Sequence, residues 1–181
     1  QWYDKLRLVP LDEFFPVPQA VREWLRLMNL PYSDFQPGRA DPAPLRAAGE
    51  TFAPTVCYED AYGSEQLGLV RQSSLLVNVT NDAWFGDSTA PHQHLDISRM
   101  RALESGRAML RATNDGVTAL IGHDGSLLGT LPQFQPGVLT GEVQPRTGLT
   151  PYVRFGNWPI LAVLWLGLAV IVVSYRRSIR R

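Results

Sequence analysis

With 181 residues, 45% of them hydrophobic and 10% aromatic, the chain can bury a sizeable core, which excludes a disordered polypeptide. Seventeen basic residues balance 17 acidic ones, so the net charge is zero and nothing points to a nucleic-acid partner. A single cysteine, Cys57, excludes an internal disulfide framework.

The opening Gln1-Trp2-Tyr3-Asp4-Lys5 has no start methionine and no signal-peptide pattern, and reads as the middle of a domain, entered from a longer protein. Leu6 to Pro10 alternates and predicts a strand with Lys5 at its start. Residues 11 to 18 predict a rigid aromatic loop carrying Glu13. Pro18 opens a helix, where its fixed φ suits the first turn. Val21, Trp24, Leu25 and Met28 follow the i, i+3, i+4, i+7 spacing of one helix face. That face fits a surface helix packed on a core; a helix lying on a membrane surface is the alternative. Residues 31 to 50, rich in Pro, Gly, Ala and Asp, predict an irregular loop.

Thr51 to Cys57 predicts a strand that stops at the cysteine and meets Glu59 and Asp60 at once. Glu65 to Arg71 predicts a short helix. Ser74 to Thr80 predicts a buried strand, followed by the polar and aromatic loop Asn81 to Asp87. A long helix is expected from Pro91 to about Ala112, with Leu95, Met100, Leu103 and Leu110 inward and Arg99, Arg101, Glu104 and Arg107 outward. Asn114-Asp115-Gly116 stops it. Val117 to Ile121 and Leu127 to Leu131 predict strands joined by a hairpin turn, His123-Asp124-Gly125-Ser126. Gly137 to Val143 predicts one more strand. This order describes a layered α/β domain.

No charged residue lies between Asn157 and Ser174. The run Trp158 to Tyr175 approaches the ~20 apolar residues that span a bilayer. Trp158 and Tyr175 sit at its ends as interfacial aromatics, and Arg176, Arg177, Arg180 and Arg181 follow. Positive residues stay on the cytoplasmic side, so the C-terminus is expected in the cytoplasm and the domain on the opposite face. The alternative is the core helix of a soluble protein. The expected organisation is a domain over residues 1–145, a linker over 146–158, a membrane helix over 159–175 and a basic tail over 176–181.

A thiol at a strand end, held from behind and facing a cleft, suits a nucleophile. The plain alternative is a buried cysteine acting as a small hydrophobe. The usual thiol partner is histidine, but none of His92, His94 and His123 stands in a rigid catalytic context in the sequence, and a Cys–His pair stays open. His92 and His94 are two apart and do not share a helix face, against a metal pair there. Lys5 is the one lysine in a chain whose other positive side chains are arginines. Lysine gives a compact point charge tunable by burial; against that stands an ordinary solvated lysine.

Lys5-Leu6-Arg7-Leu8-Val9-Pro10-Leu11-Asp12-Glu13 resembles the Lys-x-x-Leu-Val-Pro-x-x-Glu segment of the bacterial apolipoprotein N-acyltransferases, within the nitrilase (carbon–nitrogen hydrolase) superfamily. Cys57-Tyr58-Glu59 is similar to that family's nucleophile segment. Asn78 to Gly86, Arg99 to Glu104, Thr113 to Gly116 and Thr147 to Pro159 are similar to its later motifs, in order. The resemblance covers essentially the whole chain.

It implies a nitrilase-like α-β-β-α sandwich, partial because its first strands would lie upstream, followed by one membrane helix. Cys57 is then the nucleophile that forms a thioester with a phospholipid acyl chain. Lys5 and the backbone N–H of Tyr58 stabilise the oxyanion, and Glu13 and Glu59 support the lysine and the site. Asn81, Trp84 and Phe85 line the lipid-facing cleft. The implied acceptor is the α-amine of a diacylglyceryl-cysteine at the N-terminus of an apolipoprotein, with no metal or organic cofactor. The implied location is the bacterial inner membrane, with the catalytic domain periplasmic. The family's general-base glutamate precedes the lysine, so Glu13 cannot stand in for it, and this segment alone is expected to be inactive. The alternatives are an anchored carbon–nitrogen hydrolase with water as acceptor, and a non-catalytic anchored domain in which Cys57 is structural.

Overall fold

A computed structural model describes residues 1–10, 13, 14, 16–28, 35–39 and 41–179. Parts of the predicted loops over 11–18 and 31–50 lie outside the described residues, as do Arg180 and Arg181 of the basic tail and the side chain of Leu25.

Among the described residues six strands form one mixed sheet in sequence order: β1 (Leu45–Ala47), β2 (Glu50–Val56), β3 (Leu75–Asn81), β4 (Met109–Asn114), β5 (Ala119–Ile121) and β6 (Leu127–Thr130). β2, β3 and β4 run parallel, and the outer pairs are antiparallel. Helix α1 (Gln19–Leu27) precedes the sheet. Parallel neighbours need crossovers. These are made by α2 (Leu67–Val70) and α3 (Ala90–Ser105). Ala53, Leu76, Met109 and Ile121 from the sheet bury against Leu67, Val70, Leu95 and Ala102 from the two crossovers. The parallel ladder puts the C-terminal ends of β2, β3 and β4 side by side, which is where ligands bind in open α/β sheets.

Five expectations are corrected. Leu6 to Pro10 is not a strand, because the N–H groups of Leu6 and Arg7 donate to the Glu59 carboxylate instead of to a ladder. Residues 45–47, read as loop, form the edge strand β1. It pairs with β2 through Ala48-Gly49, whose φ of +51° and +83° suits a two-residue hairpin turn. The long helix stops at Ser105: Gly106 is left-handed, and its N–H returns to the Ala102 and Leu103 carbonyls. Residues 109–114 are therefore strand β4, not helix. Residues 137–143 make no ladder; they lie across the sheet, with Leu139 over Gly129 and Gly141 against Leu120. The face of α1 that carries Val21, Trp24 and Met28 is not packed on the core: these side chains are 40%, 55% and 56% exposed.

The inward face of α3 also differs. Pro91, His94, Leu95, Ser98, Ala102 and Ser105 are buried, while Met100 and Leu103 are half exposed and Arg107 is buried. Leu95 apart, small and polar residues of α3 meet the sheet.

The apolar helix α5 (Trp158–Ile179) has 22 residues, 18 of them in a stretch of mean hydropathy 2.2, and none of it is buried. It is long and apolar enough to cross a bilayer. The stretch before it is fixed rather than loose. Arg107 donates to the carbonyls of Ser73 (2.9 Å) and Gly148 (2.6 Å), and Thr150 Oγ1 donates to the Glu104 carbonyl at 2.6 Å. Thr150 also caps the short helix α4 (Pro151–Phe155), whose Val153 is fully buried and whose Val153 carbonyl accepts from Arg71 Nε at 3.0 Å.

Candidate active site

Three turns leave the aligned strand ends. β2 enters a 3-10 turn, Cys57–Ala61; β3 enters another, Ala83–Phe85; β4 ends at Asp115-Gly116. Cys57 is partly exposed and has φ +55°. A non-glycine residue there costs about 1–3 kcal/mol and persists only where its surroundings enforce it.

The enforcement comes from below. Thr55, Asn78 and Arg111 stand in one register row across the three parallel strands. Asn78 Nδ2 donates to Thr55 Oγ1 (2.9 Å) and to the Cys57 carbonyl (3.2 Å), and Arg111 Nη1 donates to Asn78 Oδ1 at 2.8 Å. Arg111 also reaches Ser98 Oγ (2.7 Å) and Asp82 Oδ2 (3.0 Å), with Asp60 Oδ2 at 3.5 Å. Ser98 Oγ donates to Asp60. His94, projecting from α3, lies between two carboxylates: Nδ1 is 2.9 Å from Asp82 Oδ1 and Nε2 is 3.0 Å from Asp60 Oδ1. Its Nε2 is also 3.3 Å from the Cys57 carbonyl.

These groups are all buried. Burial pulls the Arg111 guanidinium below its ordinary value, and Asp60 and Asp82 oppose that. Burial also disfavours charge on His94, but the hydrogen bonds to Asp60 and Asp82 outweigh it and raise its pKa to about 9. For Asp82, burial pushes up while His94 and Arg111 pull down, with the net value below the ordinary one. Two cations and two anions therefore balance beneath the cysteine. None of these residues was given a site role in the sequence; His94 was named there as one of three possible thiol partners. The usable signals were His94 and Ser98 at i, i+4 on one helix face, and an arginine at the inward position of β4.

The residues that were singled out form a second layer. Lys5 Nζ donates to Glu13 Oε1 at 2.7 Å, and Glu13 Oε2 accepts the Val9 N–H at 2.8 Å. Glu59, two residues after the cysteine and 3% exposed, binds both sides of the site. It accepts from the N–H of Val56 (2.7 Å), just before Cys57, and from the N–H groups of Leu6 and Arg7 (3.0 Å to Arg7), just after Lys5. Tyr3 Oη donates to it at 3.0 Å, and burial followed by the Glu59 charge holds the phenol well above its usual value. One carboxylate thus ties the lysine segment to the Cys57 turn.

Tyr58 is 43% exposed and packs edge-to-face on Tyr62, with centroids 5.3 Å apart; Arg7 sits over the Tyr62 ring at 5.6 Å. Asn81 Oδ1 accepts the Ala83 N–H (3.3 Å) and Asn114 Nδ2 (3.2 Å), bracing the Ala83–Phe85 turn. Trp84 and Phe85 stand on that turn, 75% and 48% exposed. Among the described residues no group of three or more His, Cys, Asp or Glu side chains is arranged to hold a metal ion.

The chain is 50% identical over 171 residues to "Apolipoprotein N-acyltransferase" of Azotobacter vinelandii, covering 93% of this chain and 33% of the relative. It is 48% identical over 180 residues to the protein of the same name from Ralstonia nicotianae, covering 97% and 34%. The chain thus spans about a third of the length of the curated relatives it matches. Among solved structures, the NitN amidase from Nesterenkonia sp. AN1 superposes with a TM-score of 0.53 at 23% identity, over 75% of this chain and 48% of that one, a likeness of fold. The sequence model of the carbon–nitrogen hydrolases matches residues 1–152. On that match, with a mixed nitrilase-like sheet and its cysteine at the strand end, the chain belongs to the carbon–nitrogen hydrolase family.

Proposed function

We propose that this chain is the catalytic, C-terminal part of an apolipoprotein N-acyltransferase. Cys57 Sγ attacks the ester carbonyl of a phospholipid; the C–S bond forms, the C–O bond breaks, and lysophospholipid leaves with the proton. The α-amine of a diacylglyceryl-cysteine then attacks the thioester. The C–N bond forms, the C–S bond breaks, and the thiol is restored. Lys5 and the Tyr58 N–H face the oxyanion of both steps. Glu13 orients the lysine, and Glu59 holds the lysine segment against the cysteine turn. The proton is taken by a general-base glutamate that the family resemblance places before Lys5.

The observation that carries this reading is the placement of Glu59, which hydrogen-bonds the backbone on either side of the site (Val56 beside Cys57, and Leu6 and Arg7 beside Lys5). A strained cysteine φ, the Lys5–Glu13 ion pair and the name the relatives carry support it further. Helix α5 crosses the bacterial inner membrane with residues 176–181 cytoplasmic, which keeps the periplasmic domain, residues 1–145, at the lipid surface. Asn81, Trp84 and Phe85 meet the acyl chains, and the exposed apolar face of α1 lies towards the same membrane.

A second reading, hydrolysis of the acyl-enzyme by water, follows from the family to which the chain belongs. The two separate in one assay on the full-length protein in detergent micelles, with phospholipid and a diacylglyceryl-cysteine peptide. Acyl transfer to the peptide amine, lost in Cys57→Ala, is the expected result. Release of free fatty acid at the same rate with or without the peptide would overturn the transferase reading.

A further inference from the structure

The buried ionic network is the part of the molecule for which the proposed reaction finds no use. Its members come from four different elements: Asp60 from the turn after β2, Asp82 from the end of β3, His94 and Ser98 from α3, and Arg111 from β4. Burying four charged groups is costly and does not of itself stabilise a fold. Its contact with the reaction is the Cys57 carbonyl, which accepts from Asn78 and faces His94 Nε2.

Geometry fixes the protonation of the ring. Each His94 nitrogen faces a carboxylate oxygen, at 2.9 and 3.0 Å. An ionised carboxylate only accepts, so both nitrogens must carry hydrogen. The elevated pKa of the ring, about 9, agrees. The charged groups facing the ring are Asp60, Asp82 and Arg111, with Cys57 presenting its carbonyl. With His94 as a cation the cluster sums to zero. A neutral ring would leave one buried carboxylate facing a lone pair.

We infer that His94, held as an imidazolium between Asp60 and Asp82, is a positioning residue that keeps the Cys57 backbone in its left-handed conformation through the Cys57 carbonyl. This rests on reading Cys57 as the nucleophile. The Nε2–H is shared between Asp60 Oδ1 and the Cys57 oxygen, and Asn78 supplies the other hydrogen bond. Relaxing the φ of +55° means turning about the Cys57 N–Cα bond, which swings the Cys57 carbonyl out of place and would break both. It would also turn the Tyr58 N–H away from the position it takes in the oxyanion site. His94 touches no reacting atom; it acts on geometry.

The test uses charge balance. His94→Gln leaves the cluster one negative charge in excess, and a glutamine cannot donate to both carboxylates. In His94→Gln/Asp82→Asn the balance returns: the asparagine amide introduced at position 82 donates to the carbonyl oxygen of the glutamine introduced at position 94, and that glutamine's own amide donates to Asp60. Leu95→Ala, on the same helix and buried in the core, is the control for lost stability alone. In the full-length protein, Cys57 acylation by phospholipid in His94→Gln should slow by roughly a hundredfold, as a misplacement of about 1 Å does, with the half-saturating phospholipid concentration within about twofold. The double variant should recover at least about tenfold of that loss. Leu95→Ala should melt lower, yet acylate at the wild-type rate well below its melting point. A folded His94→Gln acylating at the wild-type rate, or rate losses that follow the melting temperatures of all three variants, would overturn the inference. Alkylation of Cys57 by iodoacetamide separates this outcome from failure of the proposed reaction, because it needs no acyl donor. If wild type forms no thioester, slowing of alkylation by about tenfold in His94→Gln and its recovery in the double variant still support positioning, and unchanged alkylation rejects it.

Discussion

Two layers meet at Cys57, and they are built differently. Beneath it, Asp60, Asp82, His94 and Arg111 are buried, come from four elements, and are locked by the register of three parallel strands. Beside the Cys57 turn, Lys5 and Glu13 belong to one short arm, with side chains 11% and 23% exposed, and that arm is held by the Glu59 carboxylate, by the Arg7–Glu65 ion pair and by the Arg46 N–H donating to Gln1. The lower layer is inseparable from the fold. The upper layer hangs on a few hydrogen bonds. Breaking the lower layer should therefore cost stability, together with rate where His94 is the residue lost, and loosening the Lys5–Glu13 pair should cost rate alone.

Arg111→Met is expected to have the largest effect on folding. It removes the cation between two buried carboxylates and should cost roughly 3–5 kcal/mol, read as a fall in Tm or as loss of folded protein. A Tm within a degree of wild type would show that the lower layer is not structural. Glu59→Gln comes next and links the layers. An amide cannot accept at every position where the carboxylate oxygens accept Leu6, Arg7, Val56 and Tyr3, so about 2 kcal/mol and roughly a hundredfold in Cys57 acylation should be lost together.

Glu13→Gln keeps a hydrogen-bond acceptor for Lys5 and removes the charge. Because this pair is partly exposed, stability should change by less than about 1 kcal/mol while acylation slows by about tenfold. Equal losses of stability in Glu13→Gln and Arg111→Met would erase the comparison. The lower layer can also be tested by pH, with no substitution. The His94 pKa is raised from the ordinary 6.5 to about 9 in the fold, so its contribution is complete below about 6.5 and disappears as pH rises through about 9. Tm measured across that window should decline in wild type and stay flatter in His94→Gln/Asp82→Asn.

The upper layer was legible in the sequence because its residues are rare and close to one another: one cysteine, one lysine, and glutamates at short spacing from each. The lower layer was not, because it depends on register. Nothing local says that Asn78 and Arg111 share a row, and reading the helix of residues 91–105 through Gly106 to Ala112 hid the strand that carries Arg111. His94 was weighed as a metal pair with His92 and as one of three possible thiol partners, whereas its partners are Asp60 and Asp82, reached across the sheet. Lys5 was found, but its segment was mistaken for a strand, since alternation cannot reveal that Glu59 takes the backbone donors. The apolar helix was read within a few residues of its observed bounds, because a run of that length without charge depends on no neighbour.

The mass of the peptide carrying Cys57 bears most directly on the proposed chemistry. The full-length protein in detergent micelles is incubated with phospholipid and no acceptor, digested, and measured with and without neutral hydroxylamine. The expected result is an increase equal to one acyl chain on that peptide, removed by hydroxylamine as a thioester is. An unmodified Cys57 in demonstrably folded protein would contradict the acyl-enzyme and return the cysteine to a structural role.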